Sequence, residues 1–271
     1  MLVQGSLMYG TAFHKGWAAD DFKEQNQYDA VWVSSPEIKR LYEKMYKFPT
    51  HIVTSPGYSR IDNLVNQSYD RTHLLDKYNI QGYEKYILIA PTWKQDDSGR
   101  SIFPYGASAK ELFDIMQKVG EENNGLVIFR AHLNAGDSVK QPNYKNVRVM
   151  PHTEYPVTEE FLWIADVLVS DWSSIVFDYL PLNRPTIFFD VPPPFKHGFT
   201  LGPEYRFGHV AKSLEDFSQT LDRYIKQPGS YNTENRKKID KTMKICYGDT
   251  ADGKAAERYL LNLEKLLGMK E

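Results

Sequence analysis

The chain has one cysteine, Cys246, in 271 residues. A single thiol excludes an intrachain disulfide and any cysteine-rich metal motif, and the usage fits a reducing cytoplasm. No run of eighteen apolar residues occurs, which argues against a transmembrane helix. The opening stretch MLVQGSLMYGTAFHKGW has neither a charged leader nor a long apolar core, so it does not read as a secretory signal. Neither charge sign dominates, with 33 basic against 35 acidic residues. A global electrostatic footprint for nucleic acid is therefore missing, and no nucleic-acid partner is expected. Internal repeats and low-complexity tracts are absent too. What remains is a chain long enough to bury a core as one large domain or two modest ones. Aromatics are plentiful, with 18 tyrosines. Many of them must sit half exposed, ring and hydroxyl meeting different partners. A polar ligand cleft and a membrane-facing surface both suit that composition.

Strand-like runs alternate with helix-like ones. YDAVWVSS (28–35), THIVTSPGY (50–58), KYILIAPTW (85–93), GLVIFRAH (125–132), VRVMP (147–151), DVLVS (166–170) and PTIFFDV (185–191) read as strands, the last closing the series. Between them, PEIKRLYEKMY (36–46) starts with a proline suited to a first helical turn, and a helix is expected near 70–78. SAKELFDIMQKVGEEN (108–123) places Leu112, Ile115, Met116 and Val119 on one face. TEEFLWIA (158–165) precedes the DVLVS strand, and everything from about 213 onward reads as helical. Alternating β and α units imply a parallel sheet covered on both faces, a Rossmann-like layer. QDDSGRSIFPYG (95–106) and PPPFKHGF (192–199) are polar loops able to cover a site.

Ligands in such sheets sit beyond the carboxyl ends of the strands. Polar residues gather there: Thr92 after ILIAP, Arg130 and His132 after LVIF, and Asp171, Ser173 and Ser174 after DVLV. The SDWSS turn runs into Ile175, Val176, Tyr179 and Leu180 at helical spacing. A capped turn needs one hydroxyl or carboxylate, and here three are present. The second reading is an anion site, with two hydroxyls beside the N–H groups of a helix start.

Several stretches together resemble the CDP-glycerol glycerophosphotransferase family, which builds teichoic acids and related capsule polymers. LIAPTWK, FRAH, GYSRIDNL (57–64) and DGKAAER (252–258) each match a family stretch. ADVLVSDWSSIVFDYLPLNRPTIFF (165–189) matches a further one closely, and its part 171–189 is the most specific. The resemblance implies an α/β, GT-B-like fold. A Rossmann-like parallel-sheet domain over 66–250 would hold the donor nucleotide, preceded by an incomplete N-terminal, acceptor-side domain over 1–65 and followed by a C-terminal helix over 251–271. It implies transfer of glycerol phosphate or a similar polyol phosphate from a CDP-activated donor to an acceptor hydroxyl, with release of CMP. No cofactor and no metal are expected, CDP-glycerol being the donor substrate. The acceptor would be lipid-linked or polymeric, which places the protein in the cytoplasm, peripheral at the inner face of the membrane. The basic run RKKIDKTMK (236–244) offers a surface for that, or is a solvated helix face.

Two departures stand out. In MYGTAFHKG (8–16), Tyr9 occupies the place of the family's catalytic histidine, with His14 and Lys15 a turn further on. The motif also begins so early that the chain reads as a fragment, as a naturally short protein, or as one completed by a separate chain.

The expected site follows residue by residue. Ser173, Ser174, Arg130 and Thr92 are assigned to the donor diphosphate, Arg130 through a bidentate guanidinium. His132 can donate to phosphate or protonate the leaving group. His14 is the substitute base, because tyrosine at its ordinary pKa of about 10 is a poor one. Asp171 braces the turn rather than meeting phosphate, since like charges repel. Asp178 and Arg184 support the site, as a possible structural pair. Lys94 is a further donor contact, and His152, Thr153 and Glu154 lie where a nucleotide base would meet backbone groups. A GT-B glycosyltransferase using a nucleotide sugar would share the same strand-end site, and a non-catalytic nucleotide-binding module is the remaining alternative.

Overall fold

The computed structural model describes residues 28–92, 102–130, 139–195 and 198–269, together with the short strand Leu2–Gln4. By contacts the chain divides into two compact units. The first comprises residues 1–68, 195–205 and 240–271, and the second 69–194 and 206–239.

The second unit is built on runs that are apolar on both faces. Strands β4 (Lys85–Ala90), β5 (Gly125–Phe129), β7 (Val167–Ser170) and β8 (Thr186–Phe189) are buried almost throughout. Such continuous burial is what a parallel sheet covered on both sides requires. With β6 (Val147–Val149) and β9 (His209–Ala211) they form one six-stranded parallel sheet in the order β6-β5-β4-β7-β8-β9. Numbered within the unit this is 3-2-1-4-5-6, the doubly wound order, with its switch point between β4 and β7.

The helices carry clear sequence reasons. In α4 (Ala109–Glu122), Ser108 and Glu111 form a reciprocal capping box, and Leu112, Phe113, Met116 and Val119 are buried. Helix α7 (Leu214–Lys226) starts on Ser213, whose Oγ accepts from the Asp216 amide at 3.1 Å. Shorter helices are α3 (Arg71–Lys77), α5 (Thr158–Ile164) and α6 (Ile175–Tyr179). The series of strands does not close at 191. HVA adds β9, parallel to β8, although three residues give no measurable periodicity. Gly208 admits it, because a Cβ there would lie 2.0 Å from the Thr186 carbonyl oxygen.

The first unit holds a three-stranded parallel sheet, β1 (Leu2–Gln4), β2 (Ala30–Trp32) and β3 (Val53–Thr54), with α1 (Pro36–Tyr46) capped by Ser35. Helix α2 (Asp62–Val65) and the C-terminal α9 (Ala255–Leu266) belong to it. By contacts the division falls at 239/240, inside α8 (Pro228–Cys246), and specific bonds tie the residues after it to the first unit. The hydroxyls of Ser34 and Ser35 donate to the carbonyls of Cys246 and Ile245 at 2.5 and 2.6 Å.

The family-like stretches GYSRIDNL and DGKAAER are partners of each other. The Asp62 carboxylate accepts from the amides of Ala255 and Ala256, at 3.2 and 2.7 Å, and so caps α9 from a distance in sequence. Asn66 Nδ2 donates to the Gly253 carbonyl at 2.8 Å. Gly253 has φ +72°, and a Cβ would fall 2.0 Å from Asn66 Oδ1, so glycine is required on both counts. Arg258 pairs with Asp252 at 2.7 Å and also donates to the Pro56 carbonyl. The Tyr259 ring lies 4.6 Å from that of Trp32.

Asp62→Ala should cost about 1–2 kcal/mol by urea denaturation, because two first-turn amides of α9 lose their acceptor. An unchanged midpoint would contradict the capping role. The hydrogen bond from Arg258 holds the Asp252 carboxyl down at about 2. This is below the usual carboxylate value of about 3.9, so the stabilisation is fully present above about pH 4 and lost as pH falls through 2. With Asp252 40% exposed, the pair is worth less than about 1 kcal/mol. The stability gap between wild type and Asp252→Asn should be present at pH 7 and close toward pH 2. A gap that persists at pH 2 would locate the effect elsewhere.

Candidate functional site at the carboxyl edge of the six-stranded sheet

Register brings the strand ends level. Ile89 pairs with Phe129, Ala90 with Ser170, and Ser170 with Phe188. The residues that follow therefore collect on one edge, around the switch point: Thr92 after β4, Arg130 after β5, Asp171 after β7 and Asp190 after β8.

The strongest link in this cluster joins Asp171 to Thr92. Asp171 is buried, and its Oδ1 accepts from the Thr92 amide at 2.7 Å, the Thr92 hydroxyl at 2.5 Å and the Trp172 amide at 2.6 Å. Three donors onto one carboxylate oxygen hold the ends of β4 and β7 together across the switch point. Thr92 is itself buried, so its hydroxyl serves this link before any ligand.

Ser173 and Ser174 follow at once and behave differently from Asp171. The Ser173 Oγ accepts only a long contact from the Ile175 amide, at 3.5 Å. Ser174 stands at the N-cap position without a side-chain cap. It is exposed, and among the described residues its hydroxyl has no partner. Helix α6 is only five residues long before it tightens into the 3-10 turn Leu180–Leu182. So short a helix adds little macrodipole, and what the turn offers an anion is local hydroxyls and amides.

Arg130 is buried with its guanidinium turned along the edge. Nη1 donates to the Met150 carbonyl at 3.2 Å, and Nη2 to the Tyr155 carbonyl at 2.5 Å and Thr158 Oγ1 at 3.3 Å. It lies 4.7 Å over the Phe161 ring, and burial lowers its pKa to about 10, leaving it charged at neutral pH. The group thus carries a positive charge to the strand ends while locking the turn that contains His152 onto α5. A bidentate grip on a phosphate would need the N–H groups that these oxygens leave over.

Arg184 is not brought into the cluster. It precedes β8, about four strand residues or 13 Å from the carboxyl edge. Its Nη1 donates to the carbonyls of Trp163 and Ala165, at 2.7 and 2.8 Å, and its guanidinium sits over the Trp163 ring. Asp178 is buried in α6. Arg184 lines a cavity of about 290 Å³ at the amino edge, with Lys85, Asp166, Tyr224 and Asn232. That cavity is at the opposite edge from the SDWSS turn and is not where the polar strand ends meet. His14, His132, Lys94, Tyr9 and Lys15 lie outside the described residues. No group of three or more His, Cys, Asp or Glu side chains able to hold a metal occurs among the described residues.

Sequence reading missed Arg206. It follows the 3-10 turn Pro203–Tyr205, is buried, and lies over the Trp172 ring of the SDWSS turn. Its local stretch, GPEYRFGH, carries neither strand nor helix periodicity, so only the folded chain shows the pairing.

An open parallel sheet in this order, with polar side chains at its switch point, defines a doubly wound α/β protein. The family model described as CDP-glycerol:poly(glycerophosphate) glycerophosphotransferase matches residues 7–265, and the chain belongs to that family. It is similar to the teichoic acid ribitol-phosphate polymerase TarL of Staphylococcus aureus (strain NCTC 8325 / PS 47), with 26% identity over 265 residues, 92% of this chain and 43% of TarL. The teichoic acid poly(glycerol phosphate) polymerase of Bacillus subtilis (strain 168) is 28% identical over 180 residues, 65% of this chain and 23% of that protein. This chain thus spans less than half the length of either relative. Among solved structures, a variant of the wall teichoic acid polymerase TagF superposes with a TM-score of 0.76 at 19% identity, covering 98% of this chain and 68% of that one. A TagF variant soaked with CDPG gives 0.72 at 20% identity, covering 94% and 62%. At such identities the superpositions establish the fold.

Thr92→Val should cost about 1.5–3 kcal/mol in urea unfolding, because it removes a buried hydrogen bond to a charged oxygen. Ser174→Ala should stay within about 0.5 kcal/mol, since no described partner is lost. The reverse order of costs would mean that the turn, and not the cross-strand link, carries the edge.

Proposed function

We propose that the second unit holds a CDP-activated polyol, CDP-glycerol or a close analogue, at the carboxyl edge, and that its polyol phosphate passes to an acceptor hydroxyl. The observation that supports this most is a coincidence. The most family-specific stretch, residues 171–189, starts directly after β7 at the switch point and carries the Ser173 and Ser174 hydroxyls. In the reaction the acceptor oxygen bonds to the phosphorus that bears the polyol. The bond from that phosphorus to the bridging oxygen breaks, and CMP leaves with the bridging oxygen. The acceptor proton goes to a base. His14 is the candidate base and His132 the candidate donor to the leaving phosphate. Ser173 and Ser174 would donate to the diphosphate, Arg130 would supply positive charge, and Asp171 would hold the turn that presents them. Hydroxyls, amides and the guanidinium make the site metal-independent in this reading.

The acceptor would be a teichoic-acid-like or capsule polymer, or its lipid-linked primer. No described helix is long and apolar enough to cross a membrane. Association with the inner membrane face would be peripheral, through exposed cations such as Arg236, Lys237 and Lys238 on α8.

Calorimetric titration with CDP-glycerol, CMP, UDP-glucose and UMP tests the donor assignment. Cytidine compounds should bind selectively, and Ser173→Ala/Ser174→Ala should weaken CDP-glycerol at least about tenfold, the worth of one charge-assisted hydrogen bond. Preference for the uridine compounds would instead make this a nucleotide-sugar transferase. Transfer that survives both His14→Ala and His132→Ala at full rate would remove those two residues from the chemistry.

A further inference from the structure

Arg206 is 5% exposed, and its guanidinium carbon lies 3.6 Å from the Trp172 ring centroid. Asp190, at the end of β8, holds its Nη1 at 3.5 Å, and the Phe188 ring is 5.8 Å away. The indole is fixed on its edge as well, where Nε1 donates to the Val191 carbonyl at 2.8 Å. Trp172 is the residue immediately before Ser173, and its own amide is bound to Asp171. The indole is therefore held by its edge from the chain beyond β8, by its face from Arg206, and by its backbone from the switch-point carboxylate.

We infer that Arg206 is a positioning residue for the donor-phosphate turn, acting through Trp172. The inference rests on the proposed reading that Ser173 and Ser174 meet the donor diphosphate. The turn contains no glycine, and among the described residues its two serine hydroxyls have no partner beyond the 3.5 Å contact from the Ile175 amide to Ser173 Oγ. Two of its side chains are clamped, Asp171 through three donors on its carboxylate and Trp172 through its indole, and the indole is the one next to Ser173. A planar, delocalised guanidinium matches the flat face of an indole, whereas a compact ammonium does not, so lysine is a poor substitute despite its charge. Stacking with a desolvated cation also keeps positive charge close to the turn without exposing it to water.

The test is a double-mutant cycle on the full chain, with CDP-glycerol affinity read by calorimetry and folding read by thermal unfolding. Arg206→Lys should weaken binding about 5- to 20-fold, the range expected for loss of a buried cation–aromatic stack. In a Trp172→Leu background the same change should have an effect of less than about 2-fold, because the path runs through the indole. In a Ser173→Ala/Ser174→Ala background it should likewise nearly vanish, which a general loss of stability would not produce. If Arg206→Lys does not fold, Arg206→Gln, with a flat uncharged head, takes its place in the cycle. Effects that multiply independently in the double variants overturn the inference, as does a lowered unfolding temperature with unchanged affinity. In both cases wild-type binding leaves the donor reading standing. A folded wild type that binds no CDP-glycerol overturns the donor reading itself, and this inference with it.

Discussion

Three donors converge on one oxygen of Asp171, and the carboxyl edge of the sheet depends on that convergence. In a doubly wound sheet the two strands at the switch point send their chains away in opposite directions. Nothing in the backbone ladder continues past Ala90 and Ser170 to keep the loops that follow in step. The Asp171 carboxylate extends the pairing by one layer, using the Thr92 amide and hydroxyl in place of a strand partner. A buried carboxylate is costly unless its lone pairs are filled, and here the filling groups are the ones whose position matters.

The other end of β7 is tied in the same manner. Asp166, just before the strand, accepts from the Tyr86 amide at 2.8 Å and takes a bidentate pair from Arg71, at 3.1 and 2.8 Å. One aspartate before β7 and one after it thus bond to backbone amides at the beginning and just past the end of β4. The central pair of strands is held at both edges by side-chain carboxylates, and by the parallel ladder between. The edges then diverge. At the amino edge, Arg184 and Arg71 close the structure onto carbonyls and a carboxylate. At the carboxyl edge, Ser174 is exposed at the start of α6.

The sheet was legible because parallel strands buried on both faces write themselves as apolar runs, and KYILIA, GLVIF and VLVS do so without interruption. The placement of Thr92, Arg130, Asp171, Ser173 and Ser174 on one edge followed from strand ends alone. What escaped the sequence was whatever depends on contacts between distant segments. HVA is too short to show a period, and its place beside β8 is visible only in the pairing. The residues from 240 onward look like a continuation of the helical tail, yet Ser34, Ser35 and Asp62 bind them to the first unit. Arg184 looked like a partner for Asp178 because they are close in sequence, but β8 lies between it and the site edge. The motif stretches GYSRIDNL and DGKAAER carried a family signal without revealing that they serve each other.

The contrast between Asp171 and Ser174 separates scaffold from site. Groups that hold a fold together show their partners in the structure, because burial without a partner costs about 1–3 kcal/mol. Asp171, Thr92, Trp172 and Arg130 all show theirs. Among the described residues the Ser174 hydroxyl shows none, and that of Ser173 only a 3.5 Å contact, although both follow directly on the best-anchored residues of the edge. Hydroxyls on a turn whose neighbours are clamped could meet an anion at little cost in internal bonds, which is the role proposed for them. A clamped turn that carries an exposed serine at its N-cap position has the geometry that the anion-binding role proposed for this edge calls for.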